Sequence, residues 1–154
     1  MQIANKIGFC IPQTFIKTKL NKQDFEVPII TKPMSNFIHL KLNDKNYMTY
    51  TSVVDKNNKN KKYAISLFQQ KIEKELELRV FYLDKKCYAV AILSQFDNQT
   101  SVDFRNYNYS NPNRIEYYNL PIDIYEKIIL FMEHFNLQTG SLDFILDNTS
   151  IKQR

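Results

Sequence analysis

An aspartate stands inside an otherwise apolar run. Asp143 lies in 140–146 (GSLDFIL), where strand alternation turns Leu142 and Phe144 one way and the carboxylate the other. Buried without a partner, that carboxylate would cost several kcal/mol, so its face must line a wet cleft or offer a cation. Lys32 closes a second apolar run, 27–32 (VPIITK), just before Pro33. An ammonium anchored there could reach a phosphate, although an ordinary strand-end lysine leaves the same pattern. Glu77 and Arg79 are two apart in 77–83 (ELRVFYL) and so share a strand face. They could pair with each other, or hold a ribose and phosphates respectively. Arg105 and Arg114 sit in a polar stretch where planar guanidinium forks suit phosphate or carboxylate, or simply stay solvated. His39 and His134 have no partner at catalytic spacing, and His134 suits the negative end of a helix.

Other chemistries lack their residues. There is no G-x-S-x-G, C-x-x-C or G-x-x-x-x-G-K-[ST] pattern, which leaves nucleophile elbows, dithiol redox sites and phosphate-wrapping P-loops unsupported. Cys10 and Cys87 are far apart, with no histidine at ligand spacing. They read as buried or partly buried free thiols in a reducing cytoplasm. In that compartment the N-x-S/T matches at Asn98, Asn108 and Asn148 carry no glycan. The net charge of +5 suits nucleic acid, a nucleotide or an acidic peptide. Much of it comes from 56–62 (KNNKNKK), which reads as a solvated loop. No run of about 18 apolar residues exists, and the N-terminus is too short and polar for a signal peptide.

The elements that must position these residues follow from periodicity. Residues 1–8 read as the last turns of a helix, with Ile3 and Ile7 on one face and Gly8 as the residue after its end. Residues 27–32 form a short buried strand, with Pro28 near its start. The runs 39–42 and 47–53 alternate around an Asn43-Asp44 turn. A third strand covers 65–72. The runs 77–83 and 87–94 flank Asp84-Lys85-Lys86 as a hairpin. Residues 97–119, rich in Asn and Tyr, read mainly as loop. Residues 122–135 are the clearest helix, with Pro121 at its first turn, Asn136 as its stop and an apolar stripe of Ile124, Ile128, Phe131, Met132 and Phe135. The expected class is α+β, with antiparallel strands dominant and a few helices laid on them. A hairpin partner is expected after Asp147-Asn148, but the chain ends at Arg154.

Taken in order, these runs resemble the ATP-grasp superfamily, and most closely the ATP-grasp ligases that cross-link ribosomally made peptides, the microviridin-type and grasp-with-spasm maturases. The runs that carry the likeness are 3–16 (IANKIGFCIPQTFI), 29–35 (IITKPMS), 66–82 (SLFQQKIEKELELRVFY), 89–95 (AVAILSQ), 102–108 (VDFRNYN), 120–128 (LPIDIYEKI) and 139–146 (TGSLDFIL). The resemblance implies two small lobes gripping ATP, a smaller one with its hinge over about 14–72 and an incomplete larger one over about 73–154. It implies that Lys32 contacts phosphate and that Gln70, Lys71 and Ile72 form the hinge whose backbone reads adenine. Glu77 would bind ribose, Arg79 and Arg105 would face the phosphates and an acyl-phosphate, and Asp143 would be a magnesium ligand. ATP and magnesium are the implied cofactors. A precursor peptide is the implied partner, with no nucleic acid and no membrane.

Three features depart from that pattern. The loop over the phosphates, Met34-Ser35-Asn36-Phe37, has no glycine. The Glu-x-Asn pair that would complete the metal site is not found before Arg154, and the resemblance leads one to expect that the family's N-terminal domain is missing from this chain. The expectation is therefore a partial ATP-grasp domain, truncated at both ends, inactive alone, and prone to self-association along the open edge of 140–146. A reading from another class is a basic β-rich module for RNA or an acidic peptide. Tyr107, Tyr109, Tyr117 and Tyr118 would then be its stacking groups.

Overall fold

The computed structural model describes residues 2–34, 39–58, 62–147 and 151–153. The elements run α1 (Gln2–Ile7), β1 (Thr14–Lys19), β2 (Ile29–Lys32), β3 (His39–Leu42), β4 (Lys45–Met48), β5 (Ser52–Val53), β6 (Lys62–Gln70), β7 (Leu76–Leu83), β8 (Lys86–Leu93), β9 (Arg114–Tyr117), α2 (Ile122–His134), β10 (Thr139–Leu146) and β11 (Ile151–Gln153). Strands β1-β6-β2-β5 form one sheet, β11-β10-β7-β8-β9 a second, and β3-β4 a separate hairpin. The strand pairs are antiparallel, so the class is α+β as the patterning requires.

Two hairpins turn tightly through pairs of residues in the left-handed backbone region, which Asn and Asp adopt more readily than other side chains. Leu83 faces Lys86, and the two turn residues Asp84 and Lys85 have φ of 43° and 65°. Leu42 faces Lys45 across Asn43 and Asp44, at 49° and 61°. Positive φ at both central positions matches the twist of the flanking strands. Both helices end in the same way. Gly8, at φ 94°, donates to Asn5 O while Phe9 donates to Ala4 O; Asn136, at φ 53°, donates to Glu133 O while Leu137 donates to Met132 O. This paired closure satisfies carbonyls that the helix end would leave open.

The five-stranded sheet has one greasy face. Leu78, Val80, Tyr82, Ala89, Ala91, Leu142 and Phe144 are buried there beneath α1 and α2. Helix α2 presents Ile124, Ile128 and Met132, one turn apart, to that face. Each such buried side chain contributes on the order of 1.5–3 kcal/mol. At Gly140 the sheet comes so close to the helix that a Cβ would lie 2.9 Å from Met132 Cε. Phe9, placed by the end of α1, packs its ring on Phe131 at 6.0 Å and on Phe144 at 5.6 Å. The four-stranded sheet covers a smaller core of Leu20, Phe25, Ile29, Val54 and Phe68, with Phe15 stacked on Phe68.

Several expectations need correction. The 97–119 stretch contains an edge strand, β9, which pairs with β8; its residues are all exposed, so no burial alternation marks it. The run 47–53 is not one strand: β4 stays in the hairpin, while β5 joins β2 in the four-stranded sheet. Strand β10 does have a hairpin partner, since Phe144–Leu146 pair with β11. Only its first part, 139–143, has β7 on one side and no strand on the other among the described residues. Cys10 is exposed rather than buried, and Cys87 is half-buried. The glycine-free loop at 34–37 lies largely outside the described residues. Among the described residues, no helix is long and apolar enough to cross a membrane.

Candidate nucleotide-binding cleft

Strand β6 ends at Gln70, and residues 71–75 carry the chain from the four-stranded to the five-stranded sheet. Backbone hydrogen bonds of 2.8 Å fix both ends of this crossing: Gln70 N to Gln13 O, Lys71 N to Pro28 O, and Glu75 N to Leu146 O. Among the described residues, no backbone–backbone bond outside the ladders uses the amides of Ile72 or Glu73. The crossing forms the back of a cleft. Ile30 of β2 lines it from one sheet and Ile145 of β10 from the other, with Gln70, Lys71 and Ile72 between them. An apolar slot with backbone edges at its rear suits a flat heteroaromatic ring.

Register shows which residues share a sheet face with the cleft-lining Ile30, Gln69 and Ile145. Thr14, Gln69 and Ile30 are directly opposite one another, and Lys32 lies two beyond Ile30, so all four share a face. Gln69 is buried; its amide donates to Thr14 Oγ1 at 2.9 Å, and its Oε1 accepts from Lys32 Nζ. On the other sheet, Glu77, Arg79, Asp143 and Ile145 share the face away from the helices, because Arg79 is opposite Asp143 and Glu77 opposite Ile145.

Glu77 is only 2% exposed. Its carboxylate pairs with Lys74, whose side chain is also largely covered, and accepts from Ser94 Oγ at 3.2 Å, while Lys74 Nζ also donates to Val102 O at 3.3 Å. A buried ion pair persists only when further hydrogen bonds offset its desolvation, and these do so.

Arg79 and Asp143 form a forked pair, Nε to Oδ1 at 3.0 Å and Nη2 to Oδ2 at 3.3 Å. The Phe104 ring lies 5.3 Å from the Arg79 guanidinium carbon. Arg105 makes a second fork, to Asp103, with both contacts at 2.7 Å. Asp103 is buried and also accepts from the Thr51 amide at 2.9 Å. Burial alone would raise its carboxyl, but Arg105 and the Thr51 amide outweigh that and hold it well below the usual carboxylate range. The Asp103 bond raises the Arg105 guanidinium, and Asp143 and Glu77 act on it in the same direction through charge alone.

Magnesium requires near-octahedral oxygen coordination. The described residues contain no group of three or more His, Cys, Asp or Glu side chains that could hold a metal. Both oxygens of Asp143 are already bonded to Arg79. These residues alone do not fit a magnesium site.

The structure thus brings Gln70, Lys71 and Ile72 into one cleft, and puts Lys32 on the face of one sheet that lines it. Glu77, Arg79 and Asp143 share a face of the other sheet, and the charges of Glu77 and Asp143 help raise the Arg105 guanidinium. Arg114 is apart from them, paired with Glu116 on the exposed β9. The His134 ring packs edge-on to Phe135. Tyr107 and Tyr109 touch each other, and Tyr117 is exposed, but Tyr118 packs against the main core. Sequence reasoning missed Lys74, Ser94, Gln69 and Asp103. Lys74 is hidden in a charged run, KIEKE, that looks like a solvated surface. Asp103 had one usable signal, its place two residues before Arg105.

No family model matches the sequence, and neither does any curated protein. Solved structures do match the fold. A RiPP-associated ATP-grasp ligase of Chryseobacterium gregarium, in complex with ADP and a leader and core peptide, superimposes with a TM-score of 0.89 at 23% identity, over 99% of this chain and 48% of that one. The chain has the ATP-grasp fold. The macrocyclase MdnC of Microcystis aeruginosa MRC, bound with precursor peptide MdnA, gives 0.75 at 23% identity, over 99% of this chain and 50% of that one. A D-alanine–D-alanine ligase of Bacillus anthracis gives 0.61 at 15%, over 99% of this chain and 54% of that one. The chain therefore spans about half the length of the ATP-grasp structures it matches.

Proposed function

We propose that this chain forms the nucleotide-gripping part of an ATP-dependent ligase that joins a carboxylate to a hydroxyl or amine within a ribosomally made precursor peptide. The observation that carries the reading is the cleft between the sheets, walled by Ile30 and Ile145 and backed by Gln70, Lys71 and Ile72. In this reading the adenine enters between the two isoleucines and meets the backbone of the crossing segment. Glu77 accepts from the ribose hydroxyls, its orientation held by Lys74 and Ser94. Lys32 reaches the phosphate chain from one sheet, and Arg79 and Arg105 reach it from the other.

The chemistry these groups would serve is carboxylate activation. The substrate carboxylate attacks the γ-phosphorus, the bond to the β-phosphate oxygen breaks, and an acyl-phosphate and ADP result. A hydroxyl or amine then attacks the acyl carbon, inorganic phosphate leaves, and the nucleophile gives up its proton. Cations fixed in a cleft favour such a transfer because charge spreads over the phosphoryl oxygens as it moves. The family resemblance assigns magnesium to Asp143, but the described residues alone do not form a site for it.

Isotope-labelled protein titrated with ADP tests the assignment. Backbone amide shifts should be largest at 70–75 and at Ile30 and Ile145. Shifts confined to the tyrosine-bearing segment 107–118, or none at all, would overturn it.

A further inference from the structure

We propose that Asp103 is a positioning residue that sets Arg105 against the phosphate chain of a bound nucleotide while tying the two sheets together around it. The proposal rests on the nucleotide reading above. Its basis is the separate tasks of three consecutive residues. Asp103, 1% exposed, belongs to the segment between β8 and β9 of the five-stranded sheet, yet it accepts the amide of Thr51, which leads into β5 of the four-stranded sheet. Phe104 lies against the Arg79 guanidinium. Arg105 is fastened through Nε and Nη2 to the two oxygens of Asp103, and Asp103 Oδ1 also accepts the Arg105 amide at 3.2 Å.

A staple between the sheets would need only the carboxylate and the Thr51 amide. The additional fork fixes the guanidinium plane, which a flexible arginine would otherwise surrender to rotamer freedom. The fixed guanidinium still keeps about a third of its side-chain surface exposed, at 35%. The charges of Glu77 and Asp143, two carboxylates on one face of the same five-stranded sheet, act on it and raise its pKa further. A cation held in this way costs little reorganisation when an anion arrives. Because the same carboxylate binds Thr51, placing the cation and setting the distance between the sheets are one event.

The experiment compares ADP with adenosine, which lacks phosphate, by NMR titration of the full chain. Asp103→Asn keeps the volume but presents an amide nitrogen to the arginine. Arg105→Lys keeps the charge but loses the fork, and it carries the test should Asp103→Asn fail to fold. Each substitution should weaken ADP by about tenfold, the scale of a charged hydrogen bond, and leave adenosine within about twofold. Equal loss for both ligands would reduce Asp103 to a staple and overturn the proposal, as would unchanged ADP affinity. Failure of the wild type to bind ADP would overturn the nucleotide reading itself, a result distinct from either.

Discussion

Arg79 and Asp143 stand directly opposite each other on β7 and β10, joined by hydrogen bonds of 3.0 and 3.3 Å. The pairing answers how an aspartate survives inside an apolar strand: its face is open to water and a guanidinium lies across it. The two side chains are 45% and 37% exposed, so solvent screens much of their attraction. Asp143→Ala should change stability by less than about 1 kcal/mol in urea titration. A much larger loss would mean that the pair is a structural anchor rather than a functional one.

The same pairing bears on magnesium. A ligand that binds only the folded state raises the melting temperature. Magnesium alone should not do so here, because both Asp143 oxygens are engaged and the described residues contain no metal cluster. A magnesium-dependent rise that Asp143→Asn removes would contradict this.

Acid should find the Asp103 cluster. Its carboxyl is held below the unfolded value of about 3.9, so in mildly acidic solution the unfolded chain binds the extra proton. The stabilisation is complete above that unfolded value and is lost as pH falls through it towards the lower folded value. Urea midpoints measured from about pH 6 to about pH 3 should therefore drop more steeply for wild type than for Asp103→Asn. Asp24 and Asp97 are also held low but are common to both proteins, so they cancel in the comparison. Parallel curves would remove Asp103 from the account.

Much of this arrangement is legible in the sequence, for reasons that differ by element. Helix α2 announces itself because Ile124, Ile128 and Met132 repeat at the helical period and are the residues buried. The 84–85 turn is readable because it sits between two apolar runs. Strand β9 is not readable, since an edge strand exposed on both faces has no burial alternation. The site divides in the same way. Lys32, Glu77, Arg79 and Asp143 stand out against apolar strand neighbours. Lys74 and Asp103 do not, because their importance lies in partners 3 and 52 residues away that only folding brings to them.

Catalysis asks for more than a cleft. Removing one preorganised charge contact typically costs about 100-fold or more in rate. The described residues do not complete a metal site, and the chain spans about half the length of the ligases it matches. Mixed with ATP, magnesium and a candidate precursor peptide, the chain by itself should give no loss of water from the peptide by mass spectrometry. Robust dehydration by residues 1–154 alone would show that the site is complete as it stands.

The central claim is that adenine nucleotide binds between the two sheets with Lys32 on its phosphates, and isothermal calorimetry tests it most directly. Lys32 and Gln69 share the cleft face of the smaller sheet and are already in contact. Wild-type chain should bind ATP or ADP weakly, in the high micromolar range or above. Lys32→Ala should lose about tenfold, as expected for one charge-assisted contact. Equal heats from both proteins, or no heat from the wild type, would contradict the account.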